Sequence, residues 1–239
     1  MNTKVDFDKT MIDRTPVSQT VARQIQKMIQ SGEIEALQRL PSQRQLAEKL
    51  GVSRSSLREA LMTLETLGFV KTYSGSGTIV CDPNANPPPD STHWRYAKRY
   101  DMSDVFEVRM LLEGRLAKHA AQTTTADDIN ILKTATDRME AAWENNDLIV
   151  NVEEDQAFHQ HIARKCRNVL LSQQYESIVP LLIETQRQPI PFTAVNRMAE
   201  SIAEHRAIIK ALHERDANAA EKAMNLHIKN TAKCAGVVV

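Results

Sequence analysis

The sequence predicts a mainly α chain in two parts: an N-terminal winged helix-turn-helix, then an all-α antiparallel helical bundle. Three observations predict it. Between residues 18 and 68 lie three short segments of helical apolar periodicity, each stopped by a glycine. They are followed by "FVKTYSGSGTIV", two β-prone runs around a glycine-containing turn. Beyond the prolines at 87–89, apolar residues recur at helical spacing almost to the end.

The first helix is expected from about Ser18 to Ser31, with Val21, Ile25 and Met28 on one face and Gly32 as the stop. The second opens at "PSQRQLAEKLG", where Ser42 and Gln45 have the spacing of a capping box and Leu46, Ala47 and Leu50 face inward. The third opens at "VSRSSLREALMTLETLG", with Ser53 as N-cap, Leu57, Leu61 and Leu64 as its stripe and Gly68 as its end. The short connection at Gly51 and Val52 forces a sharp crossing, so helix, turn, helix and hairpin make a winged helix.

That crossing presents the start of the third helix outward, with Ser53, Arg54, Ser55, Ser56 and Arg58. Backbone N–H groups at a helix start attract phosphate, hydroxyls add donors, and arginine reads a guanine edge with two parallel hydrogen bonds. Arg44, early in the second helix, is placed to hold a phosphate from the side, and the wing glycines Gly75 and Gly77 let backbone approach a groove closely. The bland reading, a solvated helix start beside a loop hairpin, competes with DNA binding at this point.

Bulk properties exclude some classes. Hydrophobic residues make up 42% and charged residues 25%, as in soluble globular proteins. No apolar run approaches the roughly 18 residues of a membrane span, and "MNTKVDFDKT" lacks the apolar stretch of a signal peptide, so a cytoplasmic protein is expected. Cys81, Cys166 and Cys234 have no paired spacing, which argues against a disulfide framework or a thiolate zinc site. Formal net charge is zero, but residues 1–80 hold 11 Lys/Arg against 8 Asp/Glu, so they carry +3 and the remainder −3. This asymmetry is too mild to decide the partner.

"CDPNANPPPDST" cannot continue a helix or sit in a central strand and reads as an extended linker. The expected division is 1–80 winged helix, 81–98 proline-rich linker and 99–239 helical bundle. In the bundle, helices are expected at about 101–121, from Thr125 through Trp143, around 153–168, at 169–188 with a kink or break at Pro180, at 194–214, and at 216–235.

Several ionisable residues fall on the apolar stripes of these helices. Arg109 lies between Val105 and Leu112, Asp155 and His159 between Val152 and Ile162, His205 between Ile202 and Ile209, and His227 three residues after Met224. Asp155 and His159 are one turn apart on one face. Buried charges need partners, so four helices aiming such groups inward imply one shared polar cavity. An Asp with three neutral imidazoles suits a divalent transition metal, zinc first, with nickel or manganese as alternatives. Arginine suits a carboxylate or phosphate. A catalytic metal, a non-catalytic metal and a polar cluster satisfied within the core all remain open on these residues alone. His119, His161 and His213 read as surface, and Phe158 as bundle packing.

Residues 40–80 closely resemble the N-terminal domain of GntR-family bacterial transcription regulators, through Leu-Pro-Ser-x-Arg-x-Leu-Ala, Gly-Val-Ser-Arg, the following Arg-Glu-Ala-Leu and a Gly-x-Gly wing. The resemblance implies that Arg44, Arg54, Ser55, Ser56, Arg58, Gly75 and Gly77 contact a double-stranded operator. One departure is Leu37-Gln38, where the family usually has Pro-Gly. The second half resembles the ligand-sensing FCD domain of the FadR subfamily through "VFEVRMLLEGRLAKHAA", "DQAFHQHIARKCRN", "EHRAIIKAL" and "AEKAMNLHIKN". It implies Asp155, His159, His205 and His227 as metal ligands and Arg109 as the grip on an effector carboxylate. The resulting expectation is a homodimeric regulator, a repressor, reading an inverted repeat and releasing it when a small organic acid binds. The rival is a metal-dependent hydrolytic or isomerising enzyme domain fused to a DNA-binding domain; no general base such as the Glu of a His-Glu-x-x-His motif stands beside the cluster.

Overall fold

Side-chain caps set the helix starts along the chain. The computed structural model describes residues 16–73, 75, 77–82, 94–190, 193 and 195–239. The elements are α1 (Val17–Gln30), α2 (Gln43–Leu50), α3 (Arg54–Thr66), β1 (Val70–Tyr73), β2 (Gly77–Val80), α4 (Met102–Ala120), α5 (Ala126–Glu144), α6 (Leu148–Arg164), α7 (Val169–Arg187), α8 (Val195–His213) and α9 (Ala217–Cys234). Ser42 and Gln45 form the capping box at α2, Thr125 and Asp128 form one at α5, and the Ser53, Asp147, Asn168 and Asp216 side chains cap α3, α6, α7 and α9. Each satisfies helix-start N–H groups that have no partner within the helix.

The fold is mainly α, as the periodicity predicts: a winged helix-turn-helix followed by a helical bundle. In the first part α1 and α2 pack on α3, with Ile25, Leu57, Leu61 and Leu64 at the centre. The wing is an antiparallel pair running from Val70↔Val80 to Tyr73↔Gly77. Residues 38–40 extend it: Leu40 N–H donates to Thr78 O at 2.9 Å and Val80 N–H to Gln38 O at 2.9 Å. The wing serines Ser74 and Ser76, and residues 83–93 with the three prolines, lie outside the described residues. Only the two ends of the expected linker lie among the described residues. Cys81 N–H still pairs with Phe69 O, and residues 95–99 form a turn whose Trp94 indole N–H donates to Tyr100 O at 2.6 Å.

In the second part α4 packs on α9, α6 and α7, while α5 packs on α6 and α8. Phe106, Leu132, Phe158, Ile162, Ile208, Leu212, Met224 and Ile228 fill the centre. Of the expected kink or break at Pro180, the break does not occur: α7 runs unbroken through it. Proline removes one bond to the carbonyl four residues back. Pro180 and Glu176 both face solvent, so water can take the freed carbonyl. His161, read from sequence as surface, is half-buried because Asp128 sits 2.9 Å from its Nε2.

The two parts share an interface. The buried Gln26 side chain accepts from Ile149 N–H at 3.2 Å and donates to Asp147 Oδ1 at 3.1 Å, locking α1 to the start of α6. Arg23 pairs with Glu153 beside it. Thr66 at the end of α3 donates to Glu184 on α7 at 3.2 Å, and Arg95 grips Glu59 of α3 with one nitrogen 2.9 and 3.1 Å from its two oxygens. Met139, Ile149, Val152, Ile190, Met198 and Ile202 extend the apolar core of the winged helix into the bundle.

Leu37, the residue standing where the resembled family has its Pro-Gly turn, adopts φ 65° while 71% exposed. A left-handed conformation costs a residue with a Cβ on the order of 1–2 kcal/mol. The Leu37→Gly variant relieves that strain and loses little packing, while glycine's greater unfolded-state entropy offsets part of the gain. A rise in stability of up to roughly 1 kcal/mol is expected, read as a higher urea midpoint at constant slope; a lower midpoint contradicts it.

Candidate metal centre and nucleic-acid interface

Helical spacing and antiparallel packing bring four side chains from α6, α8 and α9 to one point. Asp155 and His159 lie one turn apart on α6, His205 faces them from α8 and His227 from α9. All four are buried, and each offers a ligand atom within 4.8 Å of the others. The Asp155 carboxylate is 3.2 Å from His205 Nε2 and 3.7 Å from His159 Nε2. Two atoms bound to one zinc at about 2.1 Å are at most about 4.2 Å apart. Four tetrahedral ligands at that length lie about 3.4 Å apart, so the cluster holds the donors of a metal site and would tighten by about an ångström to close on an ion.

The hydrogen-bond inventory separates a metal site from a satisfied polar core. His159 and His205 bury both ring nitrogens: His205 Nδ1 and His159 Nε2 make no hydrogen bond, while His159 Nδ1 and His205 Nε2 meet the carboxylates of Glu113 and Asp155 at poor angles. Buried polar atoms are nearly always paired, and leaving one unpaired costs about 1–3 kcal/mol. Two imidazoles left this way, facing a carboxylate, fit a cation. Phe158 stacks flat on His205 with ring centroids 4.1 Å apart and fixes its plane, so its role is packing.

Electrostatics suit the same chemistry. Burial pushes the Asp155 carboxyl up, but the hydrogen bond from His205 and the neighbouring imidazoles outweigh it and hold it below the usual range. Burial also drives His227 down to about 4 and lowers His205, against the pull of Glu204 and Asp155 respectively. An ionised carboxylate with neutral imidazoles is the protonation state a divalent ion requires.

Outer partners orient the ligands. Glu204 lies 2.8 Å from His227 Nδ1, is held by Arg197 at 3.0 Å and accepts from Asn230 at 2.7 Å. A proton on Nδ1 leaves Nε2 as the donor to an ion. Glu113 of α4 stands 2.5 Å from His159 Nδ1 and accepts from Arg109 Nε at 2.7 Å. Burial raises the Glu113 carboxyl, yet Arg109 and His159 bring it down to about 2. Arg109 is fully buried and also donates to Thr185 at 3.0 Å. The sequence reading placed Arg109 correctly on an inward stripe but missed that Glu113 neutralises it; the four-residue spacing was the available signal. Glu204 carried no such signal, since it precedes His205 by one residue and lies off its stripe.

A narrow cleft of about 40 Å³, partly open to solvent, adjoins the cluster. Arg109, Asn151, Asp155, Gln186 and His227 supply polar walls, and Met139, Val152, Ile190 and Met198 apolar ones. A small anion fits this chemistry better than a long acyl chain.

At the other end of the molecule, Arg44, Ser53, Arg54, Ser55 and Arg58 are exposed, with Ser56 half-buried. Ser53 caps α3, its oxygen accepting from Ser56 N–H at 3.0 Å and lying 2.8 Å from Ser55 Oγ. Arg44 lies 3.5 Å from Glu48, an exposed pair easily exchanged for another anion. Gly75 and Gly77 take φ 75° and 85° in the wing, so both need glycine's freedom. Arg39, missed in the sequence, is exposed and lies against Gly77, adding a cation at the base of the wing.

Comparison with known proteins adds family information. Residues 17–80 match the family described as bacterial regulatory proteins, gntR family, and residues 104–230 match the FCD domain. The Glc operon transcriptional activator of Escherichia coli K12 is 31% identical over 232 residues, covering 92% of this chain and 89% of the relative. The HTH-type transcriptional regulator LutR of Bacillus subtilis is 32% identical over 210 residues, covering 85% and 94%. Among solved structures, E. coli McbR/YncC shares the fold at 18% identity with a TM-score of 0.51, covering 90% of this chain and 94% of its own.

If Glu204 sets the ring orientation of a ligating His227, Glu204→Gln should weaken zinc binding about 10- to 100-fold with the helical content unchanged. Competition against a chromophoric chelator measures this, and an unaltered affinity would remove His227 from the ligand set.

Proposed function

Because this chain belongs to the gntR family of bacterial regulatory proteins and carries an FCD domain, we propose that its bundle senses a small organic acid through a bound divalent metal. The chain is a DNA-binding transcription regulator with a ligand-binding domain, not an enzyme. The observation that carries the finer reading is the buried Asp155/His159/His205/His227 cluster, whose ligand atoms lie within 4.8 Å of one another. Zinc fits the donor set best, with nickel or manganese as alternatives.

A charge count supports a carboxylate ligand. One ionised Asp155 and three neutral imidazoles leave a divalent ion with one uncompensated positive charge. Arg109 and Glu113 cancel each other nearby. A monoanionic carboxylate restores neutrality in a site where unbalanced charge is expensive. Arg109, its plane held by Glu113 and Thr185, offers hydrogen bonds to such a group.

We assign Arg44, Arg54 and the hydroxyls of Ser53, Ser55 and Ser56 to phosphate contact, Arg58 to a base edge, and Gly75 and Gly77 to close approach of the wing. Half-sites of an inverted repeat lie about 34 Å apart or a multiple of it, which a two-fold homodimer spans. Leu111, 71% exposed on α4, and Leu226 on the adjoining α9 supply apolar surface for that dimer. The division is 1–80 for the DNA-binding part, 81–98 for the connection and 99–239 for the sensor, in a cytoplasmic protein. Among the described residues no helix is long and apolar enough to cross a membrane.

Signal transfer follows the contacts between the parts. Asn151 and Val152 line the cleft, while Ile149 and Glu153 of the same helix hold α1. Gln186 lines it from α7, and Glu184 one half-turn earlier holds the end of α3. An acid that prefers one placement of α6 and α7 therefore biases the placement of the winged helix. Coupling of about 1–3 kcal/mol changes operator affinity some five- to 150-fold. We take the protein as a repressor that the acid releases from DNA.

Three variants test the assignment. Arg54→Ala or Arg58→Ala should lower specific DNA affinity at least tenfold at fixed salt while circular dichroism is unchanged; an unaltered gel shift contradicts the placement of α3. Arg109→Ala should keep DNA binding but lose the acid response, and a surviving response would put the carboxylate elsewhere.

A further inference from the structure

Arg39 adds a third strand position to the wing. It bridges Ile79 in antiparallel pairing, with Leu40 N–H on Thr78 O and Val80 N–H on Gln38 O to either side. Residues paired across antiparallel strands share a face, and alternate residues along a strand return to it. One face of the wing carries Val70, Thr78 and Val80, all buried. The other carries Lys71, Tyr73, Gly77, Ile79 and Arg39. Arg39 is exposed, and neither it nor Lys71 forms an ion pair among the described residues.

The Arg39 side chain does not stay beside its pairing partner. Its guanidinium lies over Gly77, two residues nearer the hairpin tip, where a Cβ would stand 3.1 Å from Nε and 3.3 Å from Nη2. The chain thus delivers an unneutralised cation along the outer face toward the tip, resting on bare backbone. Charge alone would serve a phosphate, and Lys71 on the same face supplies it. Guanidinium is more weakly hydrated than ammonium and leaves water at lower cost. The narrow minor grooves of A·T tracts concentrate negative potential that draws arginine in. With glycine at 75 and 77, the wing beside Arg39 is slim enough to approach a groove about 6 Å wide. When the start of α3 lies in a major groove, the groove next to it is a minor one. We infer that Arg39 is a specificity-determining residue: carried on the wing, it enters the minor groove beside α3 and makes the protein prefer A·T-rich sequence there. This rests on the reading of α3 as the DNA-facing helix.

The test begins with a random-sequence duplex pool selected by the full-length protein. Wild type should enrich a common core flanked by an A·T-rich block. That block is then replaced by G·C pairs or by inosine·C pairs. Inosine lacks the 2-amino group of guanine, so the inosine duplex keeps a G·C-like major groove but an A·T-like minor groove. In fluorescence anisotropy at fixed salt, the G·C replacement should lower wild-type affinity roughly fivefold or more, while the inosine replacement keeps it. Arg39→Ala and Arg39→Lys should bind all three duplexes alike, near the wild-type affinity for the G·C duplex, with circular dichroism unchanged. The wild-type comparison stands even if a variant does not fold. A core without an A·T-rich flank, or an inosine duplex bound as weakly as the G·C one, overturns the inference. So does a variant that loses affinity for all three duplexes yet keeps the preference, as a phosphate contact alone would give. In each of these cases the shared core still supports the placement of α3. Enrichment of no sequence overturns that placement and the inference together.

Discussion

The bundle is organised around one electrostatic problem: an ionised aspartate and three imidazoles held out of water on α6, α8 and α9. Hydrophobic burial alone would put leucines at these positions. Instead Asp155 lies against His205 and His159, and four imidazole nitrogens have no well-formed hydrogen bond. A divalent ion removes the conflict, since it turns four desolvated groups into ligands. Glu204 and Glu113 then have clear purposes. Each places a carboxylate beside an imidazole nitrogen, and Arg197 and Arg109 hold those carboxylates in turn. At Gly114 helix α4 approaches α9 closely: a Cβ there would stand 2.2 Å from Asn225 Oδ1, so that side chain would have to move.

Placement of this cluster also explains how a signal could leave it. Helix α6 carries two of the ligands and Asn151 on its inward face, and its first turn is the surface on which Gln26 docks α1. A fully buried glutamine bonded at both ends of its amide gives a defined seat rather than a sliding apolar contact. Seats of that kind have discrete alternatives, which a two-state switch needs. The recognition helix α3 is tied twice more, through Thr66 to Glu184 and through Glu59 to Arg95. Movement at the cleft wall therefore reaches the DNA-facing end through a few polar contacts.

Much of this was legible in the sequence where the governing interaction is local. Ser42 with Gln45, and Thr125 with Asp128, announce helix starts within four residues, and both boxes form. The buried cluster of four was legible because an ionisable group on an apolar stripe is conspicuous, and helical spacing put Asp155 with His159. What escaped notice depends on how distant helices meet. Asn151 and Gln26 are uncharged polar residues, so nothing in their spacing marks them as fully buried. Glu204 reaches His227 only because α8 and α9 pack side by side. Pro180 misled in the opposite direction: a local rule predicted a break, and solvent exposure of the freed carbonyl made continuity affordable.

The claim that a metal resolves the buried cluster is tested most directly by elemental analysis and X-ray absorption of protein purified without an affinity tag or added metal. One equivalent of a divalent ion per chain is predicted, with three imidazoles in its coordination shell, and its removal by chelator should lower Tm. Protein that purifies free of metal, takes up none from stoichiometric zinc and melts at the same temperature with or without chelator would contradict the account.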